Sequence, residues 1–308
     1  MAPITRADIS ALIEEEYSNT LLNSAAESST VLSAFNTAPM GAKVQNMPAL
    51  ATRPTASFVG ETAETRTKPS TTFSFENKVL TAQEIAAIIV LNEEDLEDAT
   101  EDLLENAAAL GGEAVGRALD AAVLFGTNKP AAWTSPDLFS AATAAGQVFQ
   151  VGTGEDDLVG SIFQAAGAVD DSDSNPDSFL ARGGFKFQLA NLRNTDGTPI
   201  YLPSLSSSPG SVDNVAGLDA YWNRNGAWDR AKALGLVVDS NSAIIGVRRD
   251  IQVKFLDQAT IDGVNLAEND QVALRFRARY AYVLADVMNA EGVRKAPVAA
   301  ITAAAAGV

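Results

Sequence analysis

Apolar positions along this chain follow two periods, and the change from one to the other marks its parts. From about residue 56 to 91 the period is two. Phe73, Phe75 and Val79 alternate with Thr72, Ser74, Glu76 and Lys78, which predicts a half-exposed strand. Ala56 to Gly60 is its expected partner, and the polar run Glu61 to Ser70, holding Arg66 and Lys68, the loop between them. A two-stranded hairpin is marginal in water by itself. Its aromatic face needs a cover, either another subunit or the rest of its own domain.

Between 92 and 125 the spacing lengthens to three and four. Leu96, Ala99, Leu103, Ala107, Leu110, Val115, Leu119 and Val123 form one stripe, predicting a long helix with Asn92 as N-cap and a stop at Gly126 and Pro130. Gly111, Gly112 and Gly116 each cost about 1 kcal/mol against Ala in such a helix. Close approach of another element, or a bend, is the expected use. The first turns carry Glu93, Glu94, Asp95, Glu97, Asp98, Glu101, Asp102 and Glu105. The earliest suit the helix dipole, whereas the later like-charge rows are a solvated face or await a basic partner.

The remainder is mixed. Residues 1 to about 50 hold a short amphipathic stretch around Ile9, Leu12 and Ile13, then small residues and prolines, and form no obvious core. Helices are expected over Glu155 to Val169 and around Phe185, Leu189 and Leu192, with a loop over 170–177 and a long exposed loop over 199–225. Strands return where Ile245, Val247, Ile251, Val253 and Phe255 alternate with polar residues, followed by a linker with Asp262 and Gly263. The clearest strand has Val272, Leu274, Phe276, Ala278, Tyr280, Tyr282 and Leu284 on one face and Arg275, Arg277 and Arg279 on the other. Residues 297–308 look like an alanine-rich tail.

Composition narrows the chemistry. With no His and no Cys in 308 residues, Ser-His-Asp and Cys-His catalysis and thiolate or imidazole metal sites are excluded. A net charge of −17 argues against direct nucleic-acid affinity. No apolar run is long enough to span a bilayer, and no signal peptide is expected at the start. Gly152-Thr-Gly154 lacks the third glycine of a dinucleotide loop. Asp171-x-Asp173-x-Asn175 lacks the glycine and glutamate of a calcium loop. Carboxylates abound, but they concentrate on one helix. No cofactor and no metal are expected, and catalysis is the lesser reading. The Arg275, Arg277 and Arg279 face fits an acidic surface across a subunit boundary better than nucleic acid.

The order of arm, hairpin, acidic helix, mixed domain and returning strands resembles the major capsid proteins of tailed bacteriophages with the Hong Kong 97-type fold. Asn92-Glu-Glu-Asp-Leu-Glu-Asp-Ala99 is similar to the start of that family's spine helix, and Ala118-Leu-Asp-Ala-Ala-Val-Leu-Phe-Gly126 with Lys129-Pro130 to its close. Leu189 to Pro199 is similar to the A-domain helix and turn. Ala243 to Val253 and Asp270 to Arg279 are similar to the closing strands. Asn194 and Thr195 depart from the family's Lys-Asp tendency.

The resemblance implies an α+β fold with an N-terminal arm (1–52), an E-loop hairpin (53–85) and a P-domain (86–130 with 241–296). An A-domain (131–240) and a C-terminal tail (297–308) complete it. It also implies assembly of this chain as hexamers and pentamers into an icosahedral virion shell enclosing double-stranded DNA. A separate scaffolding protein, a portal and decoration proteins are the implied partners, with no membrane, and assembly in the host bacterial cytoplasm. The expected intersubunit contacts are Phe73, Phe75, Arg66, Lys68, Glu97, Glu101, Arg275, Arg277 and Arg279. Some relatives crosslink an E-loop Lys to a neighbour's Asn. Lys68 or Lys78 with Asn289 is the conceivable pair, noncovalent assembly the default. An encapsulin-type compartment shell and a carboxylate-dependent hydrolase are the alternatives.

Overall fold

The computed structural model describes residues 29–52, 56, 58–59, 70, 74–94, 103–152, 157–192, 213–285 and 295–303. The Ile9 to Ile13 stretch, Arg66, Lys68, Phe73, Glu97, Glu101 and Asn289 lie outside them, as does most of the acidic run.

A short helix α1 (Thr30–Ala34) leads into strand β1 (Asn36–Pro39), then β2 (Val44–Thr52), β3 (Ser74–Thr81) and β4 (Gln83–Asn92). The long helix α2 (Leu103–Phe125) follows, then α3 (Leu138–Ala144), β5 (Val148–Gln150), α4 (Asp157–Asp170), β6 (Ser178–Arg182) and α5 (Phe185–Asn191). The chain closes with β7 (Asp213–Val215), β8 (Leu218–Asn223), β9 (Gly235–Val238), β10 (Ala243–Leu256), β11 (Thr260–Ile261), β12 (Val264–Asn265), β13 (Gln271–Leu284) and β14 (Val298–Thr302).

Two larger sheets carry the fold. The first has the order β1-β10-β13-β4, with β10, β13 and β4 antiparallel and β1 added parallel to β10. The alternation read in β13 holds: Val272, Leu274, Phe276, Ala278, Tyr280, Tyr282 and Leu284 are buried, and Arg275, Arg277 and Arg279 face outward. The second sheet has the order β5-β14-β9-β6-β8-β7. Its central strands are buried on both faces. Leu236, Val238, Val298 and Ala300 join the core around α2, while Val237, Ala299 and Ile301 join a second core under α4 and α5. Helix α2 thus lies against both sheets through Val115, Leu119, Ala122 and Val123. Burial of Val115, Leu119 and Val123 contributes about 1.5–3 kcal/mol each.

Four expectations need correction. The partner of β3 is β2, with Val44 opposite Thr81 and Leu50 opposite Phe75; Ala56, Phe58 and Val59 are not in a strand. Pro48 is accommodated in β2 because, among the described residues, that strand has a neighbour on one side only, where a missing N–H is tolerated. Residues 213–223, read as exposed loop, form the β7–β8 hairpin. Ala216 and Gly217 both take positive φ (55° and 87°) in its two-residue turn, and the turn geometry suits the strand twist. The supposed tail holds β14, which pairs with β9 and β5 and has Val298 to Ile301 wholly buried. A strand buried on both faces shows no alternation for periodicity to catch. Finally, Leu110 lies on an exposed helix face, off the stripe to which it was assigned. Asn92 ends β4, its Oδ1 accepting from Gln271 Nε2 at 3.2 Å, and Glu93 and Glu94 turn helical at once.

Candidate assembly surfaces

Hairpin β2–β3 is a two-stranded sheet of its own. Its root is fixed. Leu80 is buried with Met40, Ala82, Ala281 and Val283, Ala82 N–H donates to Lys43 O at 2.8 Å, and the Trp133 indole donates to Thr81 O at 3.0 Å. Away from the root the strands bury little. Phe75 is 63% exposed, and between the two strands Phe58 is fully exposed. Burying such side chains is favourable only if another surface supplies the cover.

The outer face of the first sheet is the second surface. Along β4 the odd residues Ile85, Ala87, Ile89 and Leu91 pack inward, leaving Glu84, Ala86, Ile88 and Val90 exposed. Beside them on β13 stand Arg275, Arg277 and Arg279, in register with Ile88, Ala86 and Glu84. On β10, Lys254 and Arg249 stand opposite Arg275 and Arg279. Glu84 takes Arg279 Nη2 at 3.0 Å and Nε at 3.2 Å, and Arg277 Nε lies 3.9 Å away. Two of the three arginines thus have an acid within their own chain: cross-strand register sets Glu84 directly beside Arg279. Arg275 has no such carboxylate among the described residues, and its Nε is buried without a hydrogen-bond partner. A basic stripe edged by exposed Ile88 and Val90 results.

A third arrangement is internal and escaped sequence reading. Asp120 on α2 is fully buried and accepts from Ser29 Oγ (2.6 Å), Thr30 N (2.9 Å), Val31 N (3.1 Å), Asn223 Nδ2 (2.9 Å) and Asn225 Nδ2 (2.8 Å). Burial pushes its carboxyl above the usual range, and the hydrogen bonds from Ser29, Asn225, Thr30 and Val31 pull the other way. One carboxylate joins the start of α1, the long helix and the end of β8. The only sequence signal was a lone Asp inside an apolar helical stripe, where burial without partners would be costly.

Among the described residues no group of three or more acidic side chains could hold a metal, and no helix is long and apolar enough to cross a membrane.

The family model described as the phage capsid family matches residues 10–291. A solved structure from Mycobacterium phage Bobi is 46% identical with TM-score 0.80, covering 98% of this chain and 99% of its own. One from Mycobacterium phage Adephagia is 42% identical with TM-score 0.81 and full coverage of both chains. The capsid of a native GTA particle, at 15% identity and TM-score 0.63 over 90% of this chain, shares the fold. No curated protein matches.

Proposed function

The chain belongs to the phage capsid family, and from that premise we propose that it assembles as hexamers and pentamers around double-stranded phage DNA. It is a major capsid protein, a structural subunit that associates with itself into the icosahedral shell of the virion. The shell performs no catalysis in our reading. It assembles in the host cytoplasm with scaffolding, portal and decoration proteins as partners, following the tailed-phage resemblance.

The observation that carries this reading is the β2–β3 hairpin: pinned at its root, a separate two-stranded sheet among the described residues, and exposing Phe75. We assign it as the E-loop, beginning at Val44 rather than at 53. Its cover is a neighbouring subunit, through Phe75 together with Phe73, Arg66 and Lys68. The Arg275, Arg277 and Arg279 face meets acids of another copy, with Glu97 and Glu101 as its counterparts. Interface formation and ordering of the hairpin are then one event, driven by about 25 cal/mol per Å² of apolar area less the cost of association. The −17 charge supports a wall that does not adhere to the DNA it encloses.

Electron microscopy of the chain expressed with its phage's assembly proteins tests the proposal. Closed shells showing six- and five-fold clusters are expected, with nuclease-resistant DNA in mature particles. Small protein-filled compartments, or a protein that never leaves the monomeric state, would refute it.

A further inference from the structure

Three arginines line one open cleft of about 670 Å³ at the ends of β6 and β8, and a fourth reaches its edge. Arg182, Arg224 and Arg230 line it with Phe187, Trp228 and Asn223. Arg117 of α2 reaches its edge: a Cβ on Gly226 would stand 2.9 Å from Arg117 Nη2. Gly183 makes room in the same way for Arg224, whose Cγ a Cβ there would approach to 3.1 Å, and Gly184 lies beside the Arg182 guanidinium. The chain holds 39 acidic and 22 basic residues, so acids are plentiful. Yet among the described residues none of these four arginines has an ion-pair partner. They differ in this from Arg277 and Arg279.

Two further features say what kind of anion belongs there. Asn223 is 2% exposed, donates to Thr30 Oγ1 and Asp120, and leaves its own Oδ1 without a donor. A phosphate backbone has no N–H to give that oxygen, whereas a polypeptide does. Phe187, 70% exposed at the rim, likewise suits a partly apolar peptide. The second feature is where the chain enters. Ser29 and Thr30 are tied through Asp120 and Asn223 to the wall of this cleft. The residues before them are acidic and apolar by turns: Leu12-Ile13-Glu14-Glu15-Glu16-Tyr17, then Leu21-Leu22 and Glu27. At most about 3.6 Å per residue puts Glu27 within roughly 7 Å of Ser29, and Glu14 to Glu16 have ample chain to return. A tethered segment also benefits from a high effective concentration.

We propose that this arginine cleft is the docking site for the acidic segment preceding Ser29 in the same chain. Carboxylates of Glu14, Glu15, Glu16 and Glu27 meet the guanidinium groups of Arg117, Arg182, Arg224 and Arg230, and a backbone N–H of the segment satisfies Asn223 Oδ1. The pairing keeps the arginines from stray anions and gives the start of the chain a fixed berth, independent of the hairpin contacts.

Glutamyl endoprotease digestion of the full-length protein, followed by intact mass, tests it. Arg182→Gln with Arg224→Gln should raise the cleavage rate after Glu14 to Glu16 by at least about tenfold, the effect of losing one charge-assisted hydrogen bond. An unchanged rate overturns the proposal. Because the chain has no Cys, a Glu15→Cys, Arg224→Cys pair treated with a short bismaleimide reports independently of stability. A bridge within one chain is expected, and a bridge between two chains, or none, overturns the assignment. A short DNA duplex that binds the wild type but not the Arg182→Gln, Arg224→Gln protein, without altered cleavage, would make the cleft a nucleic-acid site instead.

Discussion

The ring of Phe276 occupies the space that a side chain at Gly111 would need: a Cβ there would stand 2.6 Å from the ring's Cζ. Phe276 is fully buried between the first sheet and α2, so it cannot swing aside freely. Gly111→Ala gains about 1 kcal/mol of helix propensity but overpacks the core at a cost of about 1–3 kcal/mol. The expected outcome is a lower melting temperature of the unassembled subunit. An unchanged or higher one would show that the helix and sheet can part without penalty.

Asp120 ties three segments together through five donors. Asp120→Asn presents an amide N–H₂ to groups that are themselves donors, which costs about 2–3 kcal/mol. Denaturant unfolding should show the midpoint falling with an unchanged slope. Ser29→Ala, removing one donor of five, should cost less.

Alkaline pH should weaken the fold through Tyr280. Burial, helped by the nearby Asp250 carboxylate, pushes its phenol from 10 up to about 12. The folded chain therefore holds that proton more tightly than the unfolded chain. The stability it contributes is intact below pH 10 and drains away as pH rises through 10 to about 12, by on the order of 2 kcal/mol. Tyr280→Phe cannot lose the proton. Its unfolding free energy should fall less steeply than that of the wild type across this window, and parallel curves would refute the attribution.

Surface changes should separate folding from assembly. Phe75 is exposed, so Phe75→Asp should alter subunit stability by no more than about 0.5 kcal/mol while abolishing shells in sedimentation. Arg275→Glu with Arg277→Glu should act likewise. Glu84→Gln weakens only the exposed ion pairs with Arg279 and Arg277, each worth about 0–1 kcal/mol, and serves as the mild control. Normal shells from the Phe75 or arginine variants would remove those residues from the interface.

What the sequence made legible follows from periodicity. Strands β10 and β13, one face wet and one buried, and helix α2 announced themselves, as did the exposed aromatic Phe75 beside polar neighbours. Strand β14 did not, because Val298 to Ile301 are buried on both sides and alternate nothing. Strand β2 was hidden by Pro48, and the β7–β8 hairpin by a loop-like composition whose turn signal, Ala216-Gly217, was passed over. Long-range pairings such as Asp120 with Asn223 and Asn225, 103 and 105 positions apart, or Arg182 with Arg224 in the arginine cleft, join residues too distant for local pattern to carry information.

The account stands on a neighbouring subunit covering the β2–β3 hairpin, and a side-chain-resolution reconstruction of assembled particles measures this directly. Phe75, 63% exposed in the single chain, should be enclosed by residues of a second copy at every quasi-equivalent position. A shell in which Phe75 still faces solvent, or turns back onto its own subunit, would contradict it.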